Sequence, residues 1–223
     1  MGAVLELSPL SGERGRLITF EGGEGAGKST QLRLLADDIR RVGSEVVETR
    51  EPGGTAGSEA VRHVVLGGGG EPLGVDAEAV LFNAARADLV REVIVPALRS
   101  GRHVLCDRYI DSSRAYQRDC TILPQLERAA IAGTEPDLTL IFDIDPERGL
   151  SRVRSRDGAL DRFERSRIEE LAARREVFLR IARGEPQRCV VIDADRNEDA
   201  VRAEVRDVVE DRLGLSLAVE EAV

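Results

Sequence analysis

The stretch FEGGEGAGKST (residues 20–30) has the residue types and spacing of a phosphate-binding loop. The pattern G-x-x-x-x-G-K-[ST] is matched by Gly22, Gly27, Lys28 and Ser29, between an apolar strand pattern and a helical pattern. In such a P-loop, backbone N–H groups surround a phosphate chain, and the N-terminal end of the following helix adds positive potential. Lys28 would reach the β- and γ-phosphates, and the hydroxyl of Ser29 would ligate Mg²⁺. The residues predicted to bind the nucleotide phosphates are Gly22, Gly23, Glu24, Gly25, Ala26, Gly27, Lys28, Ser29 and Thr30.

Lys28 is the only lysine among the 32 basic residues of the chain. We attribute the general preference for arginine to genome composition. A lysine ammonium is a compact charge on a thin stem, whereas a guanidinium is planar and forked. Only the ammonium fits among the backbone amides of the loop, so Lys28 is interpreted as a geometric requirement.

Other residues indicate which class of nucleotide-binding protein this is. The sole lysine lies in the P-loop, so the N-K-x-D motif that reads guanine is absent, which excludes a guanine-nucleotide switch. Two places offer a metal-binding carboxylate. Asp143 and Asp145, in LIFDID, either bind magnesium or cap the next helix, and Asp107 stands beside Arg108 at the polar end of another apolar run.

Apolar runs alternate with helical patterns along the chain. Strands are predicted at about 16–22, 44–54, 102–108, 137–145 and 188–195, and helices at about 28–42, 58–66, 77–99, 146–156, 164–184 and 197–213. Because parallel strands need crossover helices, this order predicts an α/β fold: a three-layer P-loop architecture with a five-stranded, mainly parallel sheet between helices. The chemically unusual residues follow the strands, where such sheets bind ligands.

Composition limits the function classes. The 223 residues suit a single domain, predicted to span 16–213 between tails at 1–15 and 214–223. The net charge of −9 argues against a nucleic-acid polymer as partner. Three scattered cysteines and two histidines indicate a reduced, cytoplasmic setting without structural zinc. No apolar run approaches the length of a membrane span, and no secretory signal is recognisable.

The chain resembles the bacterial thymidylate kinases over residues 16 to 213. The resemblance is carried by FEGGEGAGKST, TREPGGT, LFNAARADLV, DRYIDSSRAYQ, PDLTLIFDIDPERGL and LDRFE, in that order. It implies transfer of a phosphoryl group from Mg-ATP to dTMP, giving dTDP, by a cytoplasmic homodimer. No general base is needed, because a phosphate monoester is already anionic near neutral pH.

The resemblance also implies individual roles. The residues that it assigns to dTMP are Glu24 (3′-hydroxyl), Arg50 and Pro52 (TREPGG loop), Phe82 (stacking on thymine), Arg86, Arg108, Ser113, Tyr116 (crowding the 2′ position), Gln117 and Asp161. Arg108 would bridge the donor and acceptor phosphates, and Asp107 would join Ser29 at the metal.

Residues 151–164 correspond to the lid of the family. Some members carry a catalytic arginine inside the P-loop, but Ala26 stands at that position here, so the lid is expected to supply it. Arg156 is the first candidate and Arg154 the second.

One departure from the family pattern leaves alternatives open. After Tyr116-Gln117 the usual Gly-rich segment is replaced by RDCTILPQLERAAIAG, which we expect to touch one wall of the acceptor pocket. Another nucleoside monophosphate or deoxynucleoside kinase, or a P-loop ATPase switch without monophosphate kinase activity, therefore stays open at this point.

Overall fold

The computed structural model describes residues 14–67, 74–157 and 164–218, without the side chains of 154–157 and 164–167. It contains one five-stranded sheet in the order β2-β3-β1-β4-β5, and every pair of neighbouring strands is parallel. The strands are β1 (Leu17–Gly22), β2 (Val46–Arg50), β3 (His103–Asp107), β4 (Leu138–Asp143) and β5 (Cys189–Asp193). The α/β architecture and all five predicted strands are confirmed.

Helices cover both faces of the sheet. They are α1 (Lys28–Arg41), α2 (Ala56–Leu66), α3 (Val75–Leu89), which continues through a π-helical turn (Val90–Ile94) into α4 (Val95–Arg99), α5 (Ile110–Tyr116), α6 (Leu123–Ile131), α7 (Pro146–Asp157), α8 (Glu164–Gly184) and α9 (Glu198–Leu213). The predicted helix at 77–99 is thus a continuous helical segment of two α-helices and one π-helical turn. In the described ranges, no helix is long and apolar enough to cross a bilayer.

Two of these helices, α5 and α6, have no counterpart in the sequence-based prediction. Helix α5 is only seven residues long, IDSSRAY, and its serines and aspartate are weak helix formers. Helix α6 carries a proline in its first turn and buries Leu123, Ala130 and Ile131. Its apolar residues recur at helical spacing, and packing of this face against α3 stabilises the helix.

The core lies in two layers on opposite sides of the sheet. Successive residues of β1 point to opposite faces, so Ile18 and Phe20 pack with α1 and α9, whereas Leu17 packs with α3 and α4. Because both faces are covered, β1, β3 and β4 are almost entirely buried, whereas β2, at an edge of the sheet, exposes Glu48 and Arg50. The arrangement fixes the carboxyl ends of β1, β2 and β3 side by side, and these ends carry the candidate site.

Candidate active site

The P-loop joins the end of β1 to the start of α1, as predicted. Gly22 has φ +123°, and a Cβ there would lie 2.3 Å from the carbonyl oxygen of Phe142 on β4. Gly25 has φ +72°, and its Cβ would lie 2.1 Å from the carbonyl oxygen of Gly149 on α7. Only glycine fits at either position, because the loop passes directly over neighbouring backbone.

Lys28 is the first residue of α1 and is 7% exposed. Its Nζ donates hydrogen bonds to the carbonyl oxygens of Gly22, at 3.1 Å, and Gly23, at 2.6 Å. Burial, with the nearby charge of Arg108, lowers the pKa of the ammonium from 10.5 to about 7. The lysine therefore lies inside the P-loop, as its sequence position predicted, with its ammonium bound to the backbone of the loop.

Ser29 and Asp107 meet beside the loop although 78 residues separate them. The Oγ of Ser29 donates a hydrogen bond of 2.5 Å to Oδ2 of Asp107. Within the described ranges, no group of three or more His, Cys, Asp or Glu side chains is placed to hold a metal. A hydroxyl and one carboxylate suit Mg²⁺, which keeps several waters and takes its other ligands from substrate phosphates.

The alternative metal carboxylates are engaged elsewhere. Asp143 forms a bidentate ion pair with Arg175 of α8, at 2.6 and 2.8 Å. Asp145 Oδ1 accepts hydrogen bonds from the backbone N–H groups of Glu147 and Arg148, so it caps α7. The structure therefore favours Asp107 over both as the metal-site carboxylate.

Arg108 follows β3 with φ +70°, which is uncommon for a residue other than glycine. Its backbone N–H donates to the carbonyl oxygen of Phe20 at 3.0 Å, which ties it to the neighbouring strand β1. Its Nη1 donates to Oγ of Ser112 at 3.1 Å, and the guanidinium lies 5.2 Å from the ring centroid of Tyr116. The guanidinium is thus held beside both the P-loop and a neighbouring cleft.

That cleft has a volume of about 320 Å³ and opens next to the P-loop. Eight of the ten residues assigned to the acceptor line it: Glu24, Pro52, Phe82, Arg86, Arg108, Ser113, Tyr116 and Gln117. We call it the acceptor cleft. None of residues 118–133 lines it, so the segment that departs from the family pattern does not form the expected wall.

Arg86 is the most firmly held side chain of the acceptor cleft and is 2% exposed. Its Nε donates to Oε2 of Glu51 at 2.8 Å, and Nη1 donates to Oδ1 of Asn83 at 2.8 Å. Its Nη2 donates to the carbonyl oxygen of Tyr109 and to Oγ of Ser113, each at 3.0 Å. Burial alone would lower the pKa of this guanidinium, but the charge and hydrogen bond of Glu51 outweigh burial and raise it. Four N–H groups bind the protein, so this arginine is rigidly oriented towards the cleft.

Arg50 differs from the prediction in its position. It lines a separate surface cleft of about 450 Å³ with Ser29 and Asp107, and its Nη2 donates to Oε1 of Glu59 at 2.9 Å. Successive residues of an extended chain point to opposite sides, so Glu51 takes the acceptor cleft and Arg50 faces away from it.

Several lining residues were not identified from the sequence. In the acceptor cleft these include Glu51, Glu78 and Arg62, whose Nη1 donates to the carbonyl oxygen of Pro52 at 2.8 Å. The partnership of Glu51 with Arg86 has no local sequence signal, because 35 positions separate them.

A further cleft of about 220 Å³ lies on the other side of the P-loop, and we call it the donor cleft. Gly25, Ala26, Gly27 and Thr30 line it together with Arg152 and Arg196. Arg152 donates from Nη1 to the carbonyl oxygen of Ala194 at 2.9 Å. Neither arginine was assigned a role from the sequence.

The predicted lid arginines cannot be compared with these positions. Arg154 and Arg156 belong to the last turn of α7, but their side chains lie outside the described part of the molecule. Asp161 also lies outside the described residues. Their roles stay predictions.

Comparison with known proteins identifies the family. The sequence profile of the thymidylate kinase family matches residues 20–205. The chain is 50% identical over 212 residues to the thymidylate kinase of Bradyrhizobium sp. (strain ORS 278), covering 92% of this chain and 94% of that protein. The same identity and coverage apply to the thymidylate kinase of Bradyrhizobium sp. (strain BTAi1 / ATCC BAA-1182). The chain belongs to the thymidylate kinase family. It is a phosphotransferase, and the two clefts beside its P-loop suit a kinase of this family, which brings a donor and an acceptor nucleotide together.

Proposed function

We propose that this protein transfers the γ-phosphoryl group of Mg-ATP to dTMP, giving dTDP for dTTP biosynthesis. The observation that carries the proposal is the position of Arg108. Arg108 is near enough to Lys28 of the P-loop for its charge to lower the pKa of that ammonium, and it also lines the acceptor cleft, so one cation could contact the phosphates of both nucleotides.

The donor would occupy the P-loop, with its base towards the donor cleft. Backbone N–H groups and Lys28 would hold the phosphate chain, and Ser29 and Asp107 would hold the metal. Magnesium, when bound, neutralises charge on the transferring phosphoryl group.

The acceptor would bind with its base between Phe82 and Arg86 and its phosphate towards Arg108. Phe82 offers a ring face for stacking, and Tyr116 narrows the cleft near the sugar. No side chain has to remove a proton, since the acceptor phosphate is already anionic. Catalysis would then consist of alignment and neutralisation of charge by Lys28, Arg108 and a lid arginine, Arg156 or Arg154.

A coupled ADP-release assay with dTMP, dUMP, dCMP, dAMP and thymidine tests the substrate. We expect the highest kcat/KM for dTMP, and equal activity with all five would refute the specific proposal. Nucleotide hydrolysis without phosphorylation of any acceptor would instead indicate an ATPase switch.

Variants test the roles of the arginines. Arg108→Ala and Arg156→Ala should each lower dTMP turnover by 10²-fold or more, by analogy with arginines that stabilise transferring phosphoryl groups, for which ~10³-fold effects are typical. Arg91→Ala is the matched control, because Arg91 is exposed and pairs only with Asp88 and Glu92 among the described residues. Normal turnover in either test variant would remove the corresponding assignment.

We further propose that the protein is a cytoplasmic homodimer. The apolar side chains of Val64 on α2 and of Val75 and Val80 on α3 are exposed, which supports association through these helices. All three cysteines are free and buried, which supports a reduced compartment. Analytical ultracentrifugation at micromolar concentration tests the dimer, and a monomer there would contradict it.

A further inference from the structure

Glu21 is a buried carboxylate that none of the assigned roles uses. It is the penultimate residue of β1, directly before the P-loop, and it is 0% exposed. Its Oε1 accepts hydrogen bonds from the backbone N–H groups of Tyr109, at 2.7 Å, and Ser112, at 3.2 Å. Its Oε2 accepts a hydrogen bond of 2.6 Å from Oγ of Ser112. All three donors belong to the segment that follows Arg108.

Ser112 connects this carboxylate to the guanidinium of Arg108. Its hydroxyl has a single proton, which is donated to Glu21, and its lone pairs accept the hydrogen bond from Nη1 of Arg108. A guanidinium only donates, and the carboxyl group of Glu21 only accepts while it is ionised, so in that protonation state the direction of the hydrogen bonds from Arg108 to Ser112 to Glu21 is fixed. With Glu21 ionised, the hydroxyl has no second arrangement that keeps both hydrogen bonds.

The backbone of Arg108 is anchored by β1, the strand that carries Glu21. Its N–H donates to the carbonyl oxygen of Phe20, and the next N–H, of Tyr109, donates to the side chain of Glu21. These two consecutive hydrogen bonds hold Arg108 at φ +70°. A residue other than glycine keeps this conformation when surrounding contacts fix it.

We propose that Glu21 is a positioning residue that fixes the catalytic Arg108 guanidinium, through Ser112, between the P-loop and the acceptor cleft. The inference rests on the proposed kinase reaction, because it concerns the cation that would bridge the two substrates. It assigns functions to Glu21 and Ser112, two residues that neither the sequence patterns nor the proposed mechanism uses.

A carboxylate at this depth is costly, which argues for a specific purpose. Burial and the charge of Asp111 raise the pKa of Glu21 from 4.5 to about 7, while the Ser112 hydrogen bond, the charge of Arg108 and the Tyr109 N–H act in the opposite direction. If Glu21 and its hydrogen-bond partners had no such role, apolar side chains of similar shape could take their places at little cost in stability.

The first test compares Ser112→Ala with the wild type. Loss of a hydrogen bond to a charged group should lower kcat on the order of tenfold, with KM for ATP within twofold. Ser112→Thr keeps the hydroxyl and should retain most of kcat. The matched control is Thr19→Val. Thr19 lies on β1, like Glu21, and its hydroxyl forms a buried hydrogen bond of 2.8 Å with that of Thr139 on β4, away from Arg108. An equal loss of kcat in Thr19→Val would overturn the proposal.

A double-mutant cycle separates positioning from general support of the fold. If Ser112 acts through Arg108, Ser112→Ala should have no further effect on kcat once Arg108→Ala has removed the guanidinium. If Ser112→Ala lowers kcat by the same factor in both backgrounds, the link to Arg108 is refuted.

Amide hydrogen exchange provides a readout that does not depend on the reaction. In Glu21→Gln, exchange at Tyr109 and Ser112 should accelerate at least fivefold, while that of Val104 in β3 stays unchanged, because a neutral amide is a weaker acceptor than a carboxylate. Unchanged exchange would refute the anchoring by Glu21. A wild type that does not phosphorylate dTMP would refute the proposed function instead, and if Glu21→Gln does not fold, the Ser112 cycle decides.

Discussion

The buried ion pair between Glu51 and Arg86 makes a quantitative prediction for Glu51→Gln. The side chains are 6% and 2% exposed, and Oε2 of Glu51 lies 2.7 Å from Nη2 of Arg86. The substitution preserves size and shape but removes the negative charge. It leaves the guanidinium buried with only neutral acceptors, namely Asn83, Ser113 and a backbone carbonyl oxygen.

Removing one partner of a buried pair typically costs about 3 to 5 kcal/mol, because the remaining charge is uncompensated. For a protein of this size, 1 kcal/mol shifts the melting temperature by roughly 2 to 4 °C. Glu51→Gln should therefore lower the melting temperature by roughly 6 to 20 °C. KM for dTMP should also rise, because Arg86 and Glu51 both line the acceptor cleft.

The assay is calorimetric unfolding at pH 7.5, with Glu92→Gln as the matched control. Glu92 pairs with Arg91 at a similar distance, 2.8 Å, but the two side chains are 55% and 62% exposed. Solvent screens such a pair, so its loss should cost less than about 1 kcal/mol. In the double variant Glu51→Gln, Arg86→Met the loss should be smaller than the sum of the single losses. Equal small shifts in Glu51→Gln and Glu92→Gln would refute the argument that burial makes the first pair important.

Three further predictions concern the P-loop, Glu21 and Tyr116. Lys28→Arg should lower dTMP turnover by about 10²-fold or more while the far-ultraviolet circular dichroism stays unchanged, because a planar guanidinium does not fit where the ammonium lies; near-normal turnover would contradict this. The folded state raises the pKa of Glu21 from 4.5 to about 7, so between these pH values the native state binds more protons than the unfolded state. Ionisation of Glu21 therefore destabilises the fold increasingly as the pH rises across this range. The melting temperature of Glu21→Gln relative to wild type should accordingly rise between pH 5 and pH 8, and a constant difference would show that Glu21 does not titrate there. The guanidinium of Arg174 lies 4.3 Å from the ring centroid of Tyr116, so Arg174→Leu should raise KM for dTMP by about two- to tenfold, whereas Arg183→Leu, on an exposed part of the same helix, should leave it unchanged.

Local sequence patterns were sufficient to predict the structure of those parts of the molecule in which neighbours along the chain are also neighbours in space. The P-loop is such a part, because its glycines, Lys28 and Ser29 act within one turn between β1 and α1. The five strands are another, since each is a short apolar run between turn signals. Helix α5 was not predicted because its seven residues carry little local pattern, whereas the apolar residues of α6 do recur at helical spacing and that signal was missed.

The tertiary structure decided the contacts that join distant segments. The family resemblance had assigned Asp107 to the metal, and the structure adds its hydrogen bond with Ser29, which depends on β3 lying beside β1. Arg50 and Glu51 adjoin each other in sequence, yet the direction of the chain at the end of β2 sends them to different clefts.

The sequence by itself therefore determined the P-loop between β1 and α1, because the residues of that loop act through local backbone geometry. It also identified most side chains of the acceptor cleft, through the family resemblance. Only the fold decided how those side chains are held: Arg86 by Glu51, and Arg108 by Ser112 and Glu21. The physical reason is that parallel strands place residues from distant positions side by side, and hydrogen bonds between them depend on strand order and register, which no local spacing encodes.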